Sequence, residues 1–120
     1  MLKDDAEHPI PEGWRTTFRE IARAFAAGDY ELRHHPLENV APVPPAIARH
    51  IAANVAAYGA ALAPLNDATW DWSVYRWMED YWLVLVDLTT VAEPVSDLTI
   101  HAKLREGQGA RLEIDSVHIP

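Results

Sequence analysis

Apolar positions along the chain follow two different periods, and the change between them divides it into a helical half and a strand half. Trp14, Phe18, Ile21 and Phe25 are spaced four, three and four apart, which puts them on one face at 3.6 residues per turn. Pro11 suits a first helical turn, Glu12 favours the helix dipole and Gly28 is a C-terminal stop, so the spacing predicts a helix over 12–27. Burying those four side chains contributes about 2 kcal/mol each before entropy is counted. Pro36, Pro42, Pro44 and Pro45 forbid a regular helix in the connection that follows, which leaves room only for a short turn of helix at 30–34. Pro45 opens a second helix. Its stripe is Ile47, Ile51, Val55, Tyr58 and Leu62 among alanines, and Gly59 and Pro64 end it between 58 and 63.

From residue 69 the period becomes two. Trp70, Trp72 and Val74 alternate with Thr69, Asp71, Ser73 and Tyr75, which reads as a strand. Residues 81–86, Tyr-Trp-Leu-Val-Leu-Val, are apolar on both faces and suit a central strand covered on both sides. Residues 97–104 alternate cleanly, Glu106-Gly107-Gln108-Gly109 reads as a hairpin turn, and Leu112 and Ile114 continue on the far side. Val117 and Ile119 fall out of phase with Leu112 and Ile114, which predicts either a bulge near Asp115-Ser116 or a strand with two apolar faces. The expected fold is α+β: two N-terminal helices packed on a four-stranded antiparallel meander. It forms one domain over 1–120, with a helical part at 12–63, a strand part at 69–119 and a frayed polar segment at 1–10.

Composition then narrows the function classes. The chain has 120 residues, a net charge of −8, 49% hydrophobic residues and no cysteine. That excludes a disordered chain, disulfides, thiolate chemistry and zinc–sulfur sites. No apolar run approaches the length of a membrane span, and the acidity argues against a surface that tracks phosphates. A soluble cytoplasmic protein is expected, with no membrane and no nucleic-acid partner. Residues 69–120 carry nine acidic and four basic side chains, so the negative charge leans toward the strand half.

The strand half also holds the main compositional anomaly. Trp70, Trp72, Tyr75, Trp77, Tyr81 and Trp82 lie within thirteen residues. On an alternating strand they occupy both faces, so either the second face packs under the 29–45 connection or it anchors a partner. Arg15, Arg19 and Arg23 recur every four residues and read as a solvated helix face paired with Glu12 and Glu20. Six histidines lack the spacing of a metal site, and no cofactor is expected. No nucleophile elbow or phosphate loop is present. The remaining acid–base candidates are His118 with Asp97 or Asp87, brought near one another by the last hairpin.

Trp82-Leu83-Val84-Leu85-Val86-Asp87-Leu88-Thr89, Ser96-Asp97-Leu98-Thr99 and Ile114-Asp115-Ser116-Val117-His118-Ile119 resemble, in that order, the W-x-V-x-V-D-L, S-D-L-T and I-D-x-x-H-V motifs of an uncharacterised family of small bacterial α+β proteins. A weaker likeness at Ala27-Gly28-Asp29-Tyr30 and Ala57-Tyr58-Gly59 extends it over most of the chain. Pro94 and Val95 stand where that family has glycine and arginine. The resemblance implies a layout and no activity. Phe25-Ala26-Ala27-Gly28-Asp29-Tyr30 is also similar to the first helix and turn of the nuclear-transport-factor-2-like fold, which implies a conical α+β pocket.

Two functions are therefore expected from different classes. The first is a non-catalytic protein-binding module, concretely a bacterial immunity protein that neutralises a basic toxin domain through Trp70, Asp71, Trp72, Glu79 and Asp80; a homodimer on the same surface is the other occupant. The second is a pocket protein for a small apolar molecule, with a cavity lined by Trp82, Leu85 and Leu98 and with Asp87, Asp97 or His118 as acid–base groups.

Overall fold

A computed structural model describes residues 1–107 and 109–120. Helix α1 spans Glu12–Ala26, and Phe18, Ile21 and Phe25 are buried, with Trp14 packed at the margin of the core. Gly28 stops it in the left-handed region (φ 82°). The Asp29 N–H donates to Ala24 O and the Gly28 N–H to Phe25 O, a Schellman closure that takes up two of the last free carbonyls. Helix α2 spans Pro45–Tyr58 with Ile51 and Val55 buried, and Gly59 (φ 86°) caps it.

The proline-rich connection between them is packed onto the molecule. Leu32, Val40 and Val43 are buried, and the backbone at Asn39 and Ala41 exchanges hydrogen bonds with Leu112. Asp29 shapes its start: the carboxylate accepts from the N–H groups of Arg33, His34 and His35. The residues expected to make a helical turn at 30–34 form a turn and bends around that carboxylate instead.

The sheet has five strands where the periodicity predicts four. Strand β1 (His8–Pro9) pairs with β3 (Val74–Trp77), followed by β4 (Trp82–Asp87), β6 (Thr99–Leu104) and β7 (Glu113–His118), all antiparallel in the order β1-β3-β4-β6-β7. The meander is the expected one, widened by a two-residue strand too short to leave a periodic signal. Residues 8 and 9, read as part of a frayed end, are the ones that pair. Leu2 also donates its N–H to the Tyr75 hydroxyl and accepts from the Trp82 indole. A second sheet joins β2 (Leu62–Ala63) to β5 (Thr89–Thr90).

One face of the main sheet enters the core. Trp82, Val84 and Val86 of β4, Ile100, Ala102 and Leu104 of β6, and Ile114 and Val117 of β7 join the helix residues in a single apolar cluster. The opposite face carries Leu83, Leu85 and Asp87, then Thr99, His101 and Lys103, then Glu113, Ser116 and His118. The register slips between His101 and Ala102: Ala102 faces Ile114 and His101 faces Ser116, which leaves Asp115 as the bulge the phase change predicts. The turn read at 106–109 contains Gln108, which lies outside the described residues.

The strand expected from residue 69 begins at 74. Asp67–Asp71 is a 3₁₀ helix, capped by the Asn66 side chain on the Ala68 N–H, so Trp70 and Trp72 do not share a strand face. Where β3 turns into β4, Glu79 takes a positive φ of 77° at the first central position of a two-residue turn closed by Met78 N–H to Tyr81 O. Such turns favour glycine there. Glu79→Gly should raise stability by about 0.5–1 kcal/mol, and Glu79→Val should lower it by as much or more, read as opposite shifts of the denaturation midpoint.

Candidate functional site

The sequence segments Asp87-Leu88-Thr89 and Ser96-Asp97-Leu98-Thr99 meet where β4 leaves the sheet. Side-chain hydroxyls take over the backbone groups there: Thr69 donates to Asp87 O, Ser96 to Leu88 O and Thr89 to Pro94 O, and Ser73 accepts from the Asp87 N–H. The Asp87 carboxylate projects to the outer face, half-buried, and accepts the Thr99 hydroxyl at 2.8 Å. Burial pushes its carboxyl above the usual range; the Thr99 hydrogen bond opposes this and the nearby Asp97 charge adds to it. Next to it opens a groove of about 320 Å³, lined by Trp72, Asp87, Asp97 and Ile119 together with Val95 and Pro120. Trp72 is 69% exposed and Ile119 57%. Asp97 is exposed, and its backbone N–H donates to the Tyr58 hydroxyl, which in turn donates to Glu93.

The residues singled out from the sequence are scattered over three places. Trp70 is buried at 6% exposure with the guanidinium groups of Arg15 and Arg19 5.3 and 5.5 Å from its ring. Trp70 is thus unavailable to a partner. Arg15 and Arg19 are drawn onto the indole, with Glu12 and Asp67 as charge partners, and do not form the purely solvated stripe that their spacing suggests. Asp71 and Trp72 are exposed at the groove end of β4. Glu79 and Asp80 sit in the hairpin at the other end, about 20 Å away along the strand. The five do not form one surface.

Of the acid–base candidates, Asp87 and Asp97 line the groove together, whereas His118 is two strands from Asp87 in the row Asp87–Thr99–His118. Among the described residues no His–carboxylate pair forms at His118, whose Nδ1 is 2.9 Å from the Ser116 hydroxyl. Its ring stacks on His101 instead, centroids 3.9 Å apart and 13° from parallel. The extra residue at Asp115 puts Ser116 opposite His101. His101 Nε2 is buried without a hydrogen-bond partner among the described residues. Burial and then the His118 charge hold the His101 imidazolium below its ordinary range, against the attraction of Asp115. Trp82 and Leu98 face the core while Leu85 faces outward, so these three do not line a common cavity.

A second constellation has no counterpart in the sequence reading. Asp29, with its side chain only 8% exposed, holds His35 Nδ1 at 2.9 Å and lies in a cleft of about 530 Å³ between the end of α1 and the start of α2. The signal that could have found the site is an aspartate directly after a helix stop, followed by backbone donors within six residues. Among the described residues no group of three or more His, Cys, Asp or Glu could hold a metal ion, and no helix is long and apolar enough to cross a membrane.

Residues 22–120 match a family described as Domain of unknown function (DUF7668). No curated protein and no solved structure matches the chain.

Two outcomes follow from the titrating groups. A carboxyl raised in the folded state favours folding when protonated, so ionisation at neutral pH weakens the fold. Asp87→Asn, which still accepts from Thr99, should therefore raise the denaturation midpoint at pH 7 and leave it unchanged below pH 3.8, the ordinary Asp value. For His101 the native state binds fewer protons than the unfolded chain, so stability should fall as pH drops below 6.5. His101→Phe keeps a stacked ring and should flatten that slope in denaturant titrations between pH 7.5 and 5.5.

Proposed function

Because the chain belongs to the DUF7668 family of domains of unknown function, we propose its role from its own surface: a non-catalytic protein-binding module that docks a basic partner at the Trp72 groove. The observation that carries this reading is the exposure of Trp72, 69% open on the rim of a groove whose charged lining residues are both aspartates. A large aromatic left in water beside apolar Ile119 and Pro120 costs solvation that a partner would recover, and tryptophan is over-represented among interface anchors. Asp71, Asp87 and Asp97 would meet arginine or lysine side chains and speed the encounter electrostatically. Asp87 supports the same reading, since it sets a carboxyl on the groove at a position where burial opposes its charge. In its most concrete form the module is a bacterial immunity protein that covers the basic active surface of a toxin. The contact residues are then Asp71 and Trp72 with Asp87 and Asp97; Trp70, Glu79 and Asp80 drop out.

Co-expression with a toxic protein encoded beside the gene tests this directly. The intact chain should restore growth and bind the toxin, and Trp72→Ala should weaken binding by about 30-fold in Kd while leaving the denaturation midpoint unchanged. Binding should also weaken as salt is raised. Equal binding by the Trp72→Ala chain overturns the reading, as does a Trp72-dependent homodimer in sedimentation that leaves the groove closed.

A further inference from the structure

We propose that the cleft between α1 and α2 is a second, separate binding site, one that takes a phosphorylated small molecule. Its volume of about 530 Å³ falls within the range of small-molecule sites. Its walls bring together Asp29, Arg33, His35 and Arg49, over a floor that includes Ala48 and Ala52.

The charge balance of this cleft differs from that of the chain. The chain carries −8, whereas in the cleft Asp29 and Glu31 stand against Arg33 and Arg49, and Arg49 is the cation left without an ion pair among the described residues. The Asp29 carboxylate is already committed: three backbone N–H groups and the His35 ring hold it at 2.8–3.0 Å. Burial opposes its charge, but these hydrogen bonds prevail and keep its carboxyl below the usual range. Glu31 lies 3.9 Å from Arg33. Arg49 makes no ion pair among the described residues and is exposed on the first half of α2. An anion entering here meets the Arg49 guanidinium and competes with Glu31 for that of Arg33, and the forked donors of both suit phosphate oxygens.

Asp29 also decides how His35 is presented. With Nδ1 turned to the carboxylate, the free nitrogen is Nε2, and the half-exposed ring is held by a group that is itself held by the backbone. Nε2 can accept from the P–OH of a monoprotonated phosphate or, once protonated, donate to its oxygen. The backbone hydrogen bonds to Asp29 remain when a ligand leaves, so the site is formed in advance.

The test is a titration of the intact chain with inorganic phosphate and with phenyl phosphate, followed by NMR of the His35 imidazole and the arginine side chains. Saturable shifts at His35 are expected with both probes, with tighter binding of the ester. Arg49→Gln should weaken the affinity by about tenfold without moving the denaturation midpoint, and His35→Gln should weaken it as well. Trp72→Ala should leave it unchanged, which separates this site from the docking groove. Absence of saturable shifts at His35 with both probes, or equal binding by the Arg49→Gln chain, overturns the proposal. Asp29→Asn is expected to lose both the loop and the site, so the Arg49 and His35 variants carry the decision.

Discussion

Strand β4 cannot end at Asp87 without exposing backbone groups that water barely reaches, and the hydroxyls of Thr69, Ser73 and Ser96 take their place. An unpaired backbone group in that position would cost as much as a lost hydrogen bond, so the four segments contributing to the junction are tied to one another. The 3₁₀ helix is pinned through Thr69, the start of β3 through Ser73 and the entry to β6 through Ser96 and Thr99. Trp72 lies between the first two of these anchors, which is why it is held at the surface and kept out of the core. The groove is therefore a by-product of how the sheet is closed at that end, and its carboxylate is one of the closing groups.

The two candidate sites use opposite physical arrangements. At the groove an acidic side chain is kept where burial opposes its charge, and the groups around it offer it a single hydroxyl. At the cleft a carboxylate is surrounded by donors, and its role is to hold a loop and a ring in place. The first kind of group is available to something arriving from outside. The second is spent internally and makes its neighbours available.

Much of this was legible from spacing alone. Both helices and strand β6 follow from periods of 3.6 and 2 sustained over six residues or more, β4 from a run apolar on both faces, and the irregularity near Asp115 from a change of phase. Shorter signals failed for identifiable reasons. Thr69 to Tyr75 alternates well enough to pass for a strand, but Asn66 caps a 3₁₀ turn just upstream and the tryptophans part company. Strand β1 is only two residues long and depends on its partner. The Asp29–His35 contact depends on the path of a loop, which no period encodes. At the groove, Asp87 and Asp97 were identified from the sequence, and the row that separates them from His118 was not.

Side chains in a strand point alternately to its two faces, so an odd insertion exchanges every later residue between faces. At Asp115 the chain makes that exchange within β7. Upstream of it Ile114 points inward; downstream Val117 does, and His118 reaches the open face beside His101. If the same residues paired regularly, with no bulge at Asp115, the valine would meet water and the imidazole would be driven into the apolar cluster under α2. The phase of the last strand is thus reset by one residue after the turn. Changes in the length of the preceding loop that slide the pairing by whole dipeptides leave the histidine pair on the same side of the sheet.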